Sequence, residues 1–465
     1  MASICTSNVT SGFIDLATFD EIEKYLYGGP DATAYFVRET RKSTWFTQVP
    51  VVLSRASGSP AFGQEWAVSI SRAGDYLLHT WLRLQTPQVE LLTNNPSNAT
   101  VVRWTRNFMH NIIRECCITF NDLVAARFDN YHLDFWTAFT VPAGKRNAYN
   151  NMIGNFGGAT GMTQGQPAGT PIPAFTLNLP LPFFYSRDSG VALPTAALPY
   201  NEMRINFAFR DWDDLLIGVN TNAAPGTDQR VSLNAADLQG GAPRLGVTQV
   251  WADYAIVSND ERKRMACAPR DILIEQVQTA PRQAFTPATN AQQSFDVRFS
   301  HAIKVLFFSV RNRTFKAEWS NYMTNSPFTN AGGITSFTPG GSSDPILQTS
   351  LIYENTNRLA QMGSDYFSLV NPYFHAPVVP LDTGYHMYSY SLDFICLDPM
   401  GSTNYGKLTN VSVVPEASAA AVLGATGGGA QGSGADFDQT YEFIITAVNN
   451  NIIRISGGAL GFPVL

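Results

Sequence analysis

The sequence is poor in charge, and it contains no long apolar run. Only 15% of its 465 residues are Asp, Glu, Lys or Arg, where about a quarter is usual. Lys and Arg number 31 against 37 acidic residues, so the net charge is −6 and bulk binding to nucleic acid is not expected. Apolar stretches such as IKVLFFSV at 303–310 are too short to span a bilayer. A surface with so little charge indicates that other copies of the chain cover part of it.

Cysteine is also scarce and is not arranged for disulfides or zinc. The five cysteines are Cys5, Cys116, Cys117, Cys267 and Cys396, an odd number with no C-x-x-C spacing. They predict reduced thiols, buried as small apolar groups in an intracellular protein. The opening residues, MASICTSNVTSGF, lack the basic and apolar regions of a secretory signal. Glycosylation at the N-x-[ST] sites of Asn8, Asn98, Asn312 and Asn410 is therefore not expected.

Catalytic and metal-binding motifs are missing as well. The six histidines form no H-x-x-x-H or H-E-x-x-H pair, and neither a G-x-S-x-G elbow nor a Walker A loop occurs. A formal G-x-G-x-x-G at Gly427, Gly429 and Gly432 lies in a low-complexity loop, which favours a flexible loop over a nucleotide site. We predict no enzyme activity and no catalytic, cofactor-binding or metal-binding residue. Paired carboxylates for glycoside cleavage are assembled by the fold, so spacing alone does not exclude them.

Two charged clusters allow a functional and a structural interpretation. Asp211, Asp213 and Asp214 could hold a divalent cation at a domain or subunit contact, but turn and capping roles are favoured. The basic stretch ERKRMACAPR at 261–270 could contact phosphate. Its acidic flanks favour a solvated connector or a salt-bridge patch between subunits.

What the sequence does contain is many short strands. TFDEIEKYLYGG at 18–29 predicts one helix, with Thr18 as N-cap and Glu21 completing a capping box. Most other segments alternate apolar and polar residues between Gly- and Pro-rich turns. Predicted strands lie at 61–70, 75–84, 272–278, 294–300 and 384–394. Long amphipathic helices between strands are scarce, which favours sandwiches or jelly rolls over alternating βαβ units.

Three pairs of similar segments indicate a tandem duplication. SRAGDYLLHTWLRL from Ser71 resembles SHAIKVLFFSVRN from Ser300 (300 − 71 = 229), and WFTQV resembles LIEQV (Gln48 and Gln276, 276 − 48 = 228). NEMRI from Asn201 resembles NIIRI from Asn451 (451 − 201 = 250). Each half is therefore predicted to close on an N-x-[MI]-R-I strand. The alternative, that similar strands merely look alike, stays open.

The stretch LPYNEMRINFAFRDW at 198–212 gives the sharpest strand prediction. Met203, Ile205, Phe207 and Phe209 are predicted to face a core, near the close of the first half. Glu202, Arg204 and Arg210 on the other face are candidates for contact with the sister domain or a neighbouring chain. Loops rich in Gly, Ala and Pro are expected at the surface, at 154–175 and 416–437.

Seven segments together give a resemblance to a known family. They are SGSPAFGQEWAVSISRAGDYLLHTWLRL (57–84), WTRNFMHNII (104–113), LPLPFFYSRDSGVALPTAALPYNEMRI (179–205), RFSHAIKVLFFSVRN (298–312), TGYHMYSYSLDF (383–394), GSTNYGKLTN (401–410) and NNIIRISGGALGFPVL (450–465). In this order they resemble the major capsid proteins of iridoviruses, within the capsid proteins of large cytoplasmic DNA viruses. The two Gly- and Ala-rich loops match least.

The resemblance implies an all-β protein of two tandem antiparallel jelly rolls, with a few short helices in loops and at the N-terminus. The expected parts are an N-terminal arm (1–28), a first jelly roll (29–219), a linker (220–247) and a second jelly roll (248–465). The implied function is a shell protein whose homotrimers form pseudo-hexameric capsomers, which tile an icosahedral virion around an inner membrane. Assembly in the host cytoplasm is expected.

The implied partners are further copies of the chain, minor capsid or cement proteins, and the inner membrane through the arm, whose helix at 19–27 is expected on the inner side. Direct genome binding is not expected. Two alternatives stay open at this stage. One is a carbohydrate-binding or carbohydrate-cleaving β-sandwich protein, and the other is a minor capsid or spike component.

Overall fold

The computed structural model describes residues 2–223, 230–324, 344–426 and 439–462. These divide into two units, Met1–Trp45 and Phe46–Leu465. The helices are α1 (Ala2–Ala17), α2 (Glu21–Tyr27), α3 (Phe108–Ile112), α4 (Asn130–Thr140), α5 (Ala143–Ile153), α6 (Asn259–Cys267), α7 (Asn371–His375) and α8 (Ala419–Ala425).

The N-terminal unit contains α1 and α2. Helix α2 begins at Glu21 rather than after Thr18, so the predicted N-cap was wrong. The Asp20 carboxylate accepts from the Glu21 amide at 2.8 Å and caps α2, whereas the Thr18 hydroxyl donates back to the Asp15 carbonyl at 2.7 Å. Helix α1 was not predicted. Phe19, Ile22 and Leu26, which lie at helical spacing, are exposed.

Antiparallel strands build the second unit. Its first half contains β1 (Phe46–Val52), β2 (Ser54–Gly58), β3 (Glu65–Ser69), β4 (Tyr76–Gln85), β5 (Val101–Trp104), β6 (Ile113–Phe120), β7 (Leu123–Phe128), β8 (Gln166–Pro167), β9 (Thr176–Pro180), β10 (Leu193–Pro194), β11 (Met203–Phe209), β12 (Leu216–Val219), β13 (Arg230–Val231) and β14 (Thr248–Val257). Its second half contains β15 (Arg270–Thr279), β16 (Gln283–Phe285), β17 (Phe295–Asp296), β18 (Ala302–Asn312), β19 (Ile346–Tyr353), β20 (Thr356–Gly363), β21 (His386–Ser389), β22 (Thr403–Asn404), β23 (Val411–Ala417), β24 (Tyr441–Ser456) and β25 (Ala459–Gly461).

Each half is a roll of two facing sheets. The first roll has a sheet ordered β1-β14-β4-β10, with β9 also on β4, and a second sheet ordered β2-β3-β11-β6-β7. In the second roll the corresponding sheets are β15-β24-β18-β21 and β17-β23-β19-β20. A smaller sheet is ordered β13-β12-β5-β8, and its strands alternate along the chain with those of the first roll. The all-β, double jelly-roll prediction is confirmed.

Two of the three internal similarities correspond to equivalent strands. In the first roll Val49 and Leu77 both lie opposite Tyr254, and in the second roll Gln278 and Leu306 both lie opposite Ala447. The offset is 229 residues on each side (278 − 49 and 306 − 77). β1 and β4 therefore occupy the positions of β15 and β18. β1 and β15 have the same register throughout, whereas a bulge at Asp253/Tyr254 shifts β4 by one residue beyond Leu77.

The third similarity was misleading. Strand β11, which carries NEMRI, lies between β3 and β6, whereas β24, which carries NIIRI, lies between β15 and β18. The counterpart of β24 is β14, which pairs with β1 and β4 and closes the first roll. The expected second jelly roll began at 248, yet pairing places Thr248–Val257 in the first roll's sheet. Alternating half-buried strands share a pattern irrespective of their place in a sheet, which explains the error.

The loop at 154–175 was predicted to lie at the surface, but part of it is buried. Met162 and Ile172 are fully buried in the core of the first roll, and β8 pairs with β5. In the other loop, residues 419–425 form α8, and the glycines at 427, 429 and 432 lie outside the described residues.

Candidate self-assembly site and the junction between the rolls

Strand β11 has one dry face, as its alternation predicts. Met203, Ile205, Phe207 and Phe209 are all buried, while the residues between them are half-buried. The strand pairs with β3 on one side and β6 on the other, so its apolar face is held inside the first roll. The Trp66 ring stacks on Phe207 at a centroid distance of 5.5 Å. The predicted core face is confirmed.

The charged residues of this stretch separate into two groups. Arg204 Nε donates to the exposed Glu202 carboxylate at 3.0 Å, so these two pair with each other at the surface. Arg210 is buried and donates to the Asn111 carbonyl at 2.9 Å. Its guanidinium lies 3.7 Å from the centre of the Trp319 ring, in the second half of the chain. Burial lowers the pKa of Arg210 to about 10. For Arg210, the predicted contact with the sister domain is confirmed.

The acidic cluster after β11 also contacts the second half. Lys316 Nζ lies 2.6 Å from Asp213 Oδ2 and 3.3 Å from Asp214 Oδ1. The Trp319 indole donates to the Asp214 carbonyl oxygen at 2.8 Å. Within the described ranges, no group of three potential ligands is placed to hold a metal ion. The cluster therefore serves the junction between the rolls through a lysine ammonium.

Aromatic side chains of α4 form the apolar part of this junction. The Phe139 and Phe135 rings stack on Phe307 of β18 with centroids 5.6 and 6.3 Å apart. Trp136 meets Phe394 edge-on at 5.8 Å. Helix α4 begins cleanly because the Asp129 carboxylate accepts from the His132 amide at 3.0 Å. One continuous cluster of buried residues joins the first roll to this face of the second.

A buried carboxylate organises the polar contacts beneath α4. Asp134 accepts from the Ser320 hydroxyl at 2.8 Å and from the Tyr322 hydroxyl at 2.9 Å, and both residues belong to the second half. Its other oxygen lies 2.7 Å from His110 Nδ1. His110 Nε2 in turn lies 2.6 Å from the Tyr149 hydroxyl. Asp134, His110 and the three hydroxyl groups thereby all have hydrogen-bond partners, as buried polar groups usually do.

Two further carboxylates bridge buried cations at the junction. Glu318 of the second half lies 3.1 Å from Arg103 and 3.2 Å from Arg230, both in the first half. Burial raises the pKa of Glu318, but the two guanidinium groups outweigh burial and the net shift is downward. Glu275 on β15 pairs with Lys304 and with Arg187 of the first half. These ion pairs fix how the two rolls pack on each other.

The basic stretch at 261–270 is a structural connector. Most of it forms α6, and Arg262 Nε donates to Asp75 Oδ1 at 2.7 Å. Asp75 is buried beside β4 and also accepts from the Val257 amide. The favoured structural interpretation is thus supported for Arg262, although the pair forms within one chain rather than between subunits.

The cysteine prediction holds in part. Cys116 is buried, and burial raises the pKa of its thiol well above the ordinary value. Cys267 at the end of α6 is exposed, so the expectation that all the thiols are buried was wrong there. The four cysteines at 116, 117, 267 and 396 are free thiols.

Sequence reasoning missed one cluster that contains a nucleophile, a histidine and a carboxylate. Ser364 Oγ donates to Asp344 Oδ2 at 2.7 Å, and His386 Nε2 contacts both of them, at 3.1 Å from the carboxylate. A catalytic triad needs one ring nitrogen for the serine and the other for the carboxylate. Here Nε2 serves both, so this arrangement does not have triad geometry. No local spacing could reveal it, because strand pairing brings the three residues together.

Comparisons with known proteins agree with this architecture. Residues 34–257 match the family described as "Major capsid protein N-terminus", and residues 261–461 match "Large eukaryotic DNA virus major capsid protein". The break between the two matches falls directly after β14. No helix in the described ranges has the length and apolarity to cross a membrane.

Whole-length relatives carry the same name. The chain is 68% identical over 465 residues to the major capsid protein of Costelytra zealandica iridescent virus, covering 100% of both chains. It is 50% identical over 466 residues to the major capsid protein of Lymphocystis disease virus 1 (isolate Darai), again covering 100% of both. A solved structure described as "PBCV-1 virus capsid, quasi-atomic model" has the same fold, with a TM-score of 0.73, 21% identity, and coverage of 93% of this chain and 100% of that one. The chain therefore belongs to the major capsid protein family of iridescent viruses and other large eukaryotic DNA viruses, whose members are structural, non-enzymatic proteins of the virion shell.

Proposed function

We propose that three copies of this chain close into a capsomer with a pseudo-sixfold outline, and that such capsomers tile an icosahedral shell. The observation that carries the proposal is the equivalence of the two rolls: β1-β14-β4 and β15-β24-β18 share strand order, and β1 on β14 has the same register as β15 on β24. Two similar rolls per chain, taken three times, give six similar sectors. A nearly hexagonal unit of this kind can pack against its neighbours on all sides.

The purified chain should be a trimer in solution. Its mass measured by light scattering or native mass spectrometry should be about 153 kDa, three times the 50.9 kDa of one chain. Negative-stain images should show a near-hexagonal outline. A monomer at micromolar concentration, or a closed ring with another copy number, would contradict the proposal.

We also propose the division of the chain into an arm and two rolls, with changed boundaries. The second jelly roll begins after β14 rather than at 248, because β14 is hydrogen-bonded to β1 and β4. The arm keeps its bounds at 1–28, whereas the first roll begins at Phe46 with the second unit, and the segment at 220–247 lies within that roll, between β12 and β14. Within that last segment, β13 pairs with β12, so the segment contributes a strand to the smaller sheet β13-β12-β5-β8.

The proposed partners beyond the chain itself are minor capsid proteins, which bind between capsomers, and the inner viral membrane, which the arm faces. Assembly takes place in the host cytoplasm. Support for the arm's role comes from its own side chains, because Phe13, Ile22 and Leu26 are exposed apolar residues. Exposed apolar residues that lie near one another favour binding to another apolar surface.

Deleting residues 1–28 should leave the trimer intact and impair the assembly of membrane-containing particles. The two rolls belong to a unit that begins at Phe46, so their folding does not need the deleted residues. The measurement is the ratio of complete particles to free trimers after expression of the truncated chain in infected cells. Normal yields of complete particles would contradict the proposed role of the arm.

A further inference from the structure

The outer faces of the two equivalent sheets differ in how far they are covered. In the second roll, β18 is buried from Ile303 to Asn312, and β24 is buried from Tyr441 to Asn449. In the first roll, buried residues of β4 and β14 alternate with half-buried or exposed ones. A strand that is buried on both faces has one face in its own core and the other under a further layer. The first roll has the core but not the outer layer.

Helix α4 supplies that layer for the second roll. Its Phe135, Trp136 and Phe139 rings lie on Phe307 and Phe394, as described above. The helix follows the β6–β7 hairpin, whose turn residues Asn121 and Asp122 have φ of 49° and 66°. The covering element thus comes directly after the edge hairpin of the first roll's other sheet.

The second roll has the same device: its helical element packs inward through Phe367, whose ring meets Phe308 edge-on at 5.2 Å, and leaves another apolar side exposed. Its edge hairpin, β19–β20, turns at Glu354 and Asn355 with φ of 49° and 64°. The helical segment at 366–375 follows, in the place that α4 takes in the first roll. Tyr373 and Phe374 of this segment are 73% and 71% exposed, and Leu369 and Val370 beside them are also exposed. We call residues 366–375 the docking helix.

An apolar row lies on the uncovered sheet of the first roll. Val52, Trp251 and Trp81 lie directly opposite one another on β1, β14 and β4, so their side chains share the outer face. The two indole rings stack with centroids 6.2 Å apart, and Val52 is 40% exposed. We call these three residues the indole row. Both tryptophans are half-buried, and Trp side chains at a surface commonly anchor protein interfaces.

The edge strands repeat the same contrast. Strand β15 of the second roll contacts β7 of the first, where Gln276 Nε2 donates to the Ala125 carbonyl at 3.0 Å. Its counterpart β1 is exposed along almost its whole length, with Phe46 at 54%. The counterpart of β7 is β20, an edge strand whose first residues are exposed. Strands β15 and β7 therefore contact each other within the chain, whereas their counterparts β1 and β20 are exposed.

We propose that the docking helix of one copy covers the indole row of a neighbouring copy, repeating between chains the contact that α4 makes within a chain. The partner is a second copy because this chain carries both unmatched faces, once each. Such a contact joins unlike faces, so it generates a ring that closes when the rotation permits. The inference rests on the proposed self-assembly and names the surface through which it occurs.

Interface variants test this proposal in two complementary ways. Phe374→Asp alters the docking helix and Val52→Asp alters the indole row, and both sites are exposed enough for the fold to survive. Each variant alone should be monomeric at concentrations at least tenfold above those at which the unaltered chain is trimeric. Mixed one to one, they should form dimers with one copy of each, because one intact pair of faces remains. Leu423→Asp, at an exposed position on α8, is the matched control and should stay trimeric.

The outcomes separate the inference from the proposed function. If the unaltered chain and both variants are equally trimeric, or if mixing gives no heterodimer, the docking proposal is wrong while self-assembly stands. If the unaltered chain is itself monomeric, the proposed function fails first. Circular dichroism confirms that each variant is folded before its mass is interpreted.

Photo-cross-linking locates the contact without weakening it. The trimer is prepared with p-benzoylphenylalanine in place of Phe374, irradiated and digested. Cross-linked peptides should come from β1, β4 or β14 of another copy, and the same probe in place of Leu423 should not capture those strands. Capture of any other segment, or of the probe's own chain alone, would overturn the proposal.

Discussion

Replacing Ile205 with Asp should abolish folding. Ile205 is fully buried between β3 and β6. Its buried neighbours on β11 are apolar and offer no cation to pair with the new carboxylate. Burying an unpaired charge costs several kcal/mol or more, against a total stability of about 5–15 kcal/mol for a typical domain. Soluble yield and near-ultraviolet circular dichroism measure the result, and we expect aggregated or unfolded chain.

Neighbouring variants calibrate this result. Ile205→Ala should remain folded and lose about 2–5 kcal/mol in urea unfolding, since it removes buried apolar volume. Arg204→Ala, on the opposite face of the same strand, should keep the fold, because Arg204 is half exposed and pairs with the exposed Glu202. A soluble and trimeric Ile205→Asp protein would mean that the faces of β11 are assigned the wrong way round.

Replacing Glu318 with Gln should destabilise the junction between the rolls by about 3–5 kcal/mol, the usual cost of breaking a buried ion pair. The substitution removes the buried carboxylate that lies between the guanidinium groups of Arg103 and Arg230. Urea unfolding of the intact chain measures the loss. Glu202→Gln is the control, since exposed ion pairs contribute little. Equal stability of Glu318→Gln and the unaltered chain would contradict the role given to this carboxylate.

The effect of Glu318 should depend on pH in a defined direction. Its folded-state pKa lies below the ordinary value of 4.5, so ionised Glu318 stabilises the fold at pH above that value. That contribution is lost as pH falls through the lower, folded-state pKa. The stability difference between the unaltered chain and Glu318→Gln should therefore be constant near neutrality and shrink in acid. A difference that grows as pH falls would reverse the assigned sign.

Strand pattern and repeats could be read from the sequence because they are local. The alternation from Met203 to Phe209 has the two-residue period of a strand with one buried face, and the structure has that face. The similarity between the segments from Ser71 and Ser300 reflects β4 and β18, which hold the same place in two sheets. Apolar residues at core positions are constrained by burial, so their pattern survives in both halves.

The remainder depends on contacts between distant parts of the chain. Arg210 meets Trp319, and Asp134 meets Ser320 and Tyr322, only because the two rolls pack on each other. The equivalence of β14 and β24 is likewise one of hydrogen-bonded position rather than of side chains, so sequence similarity selected β11 instead. Helix α1 was missed because its sequence, ASICTSNVTSGFIDLA, is rich in β-branched and small polar residues that disfavour helices.

The central claim is that two equivalent rolls in each chain make three copies behave as six sectors. Cryo-electron microscopy of the purified oligomer tests it most directly. The account predicts three chains around a threefold axis, with six jelly rolls at nearly equal angular spacing and the docking helix of each chain on the β4–β14 sheet of the next. An oligomer with another number of chains, or one in which the two rolls of a chain lie at different distances from the axis, would contradict it.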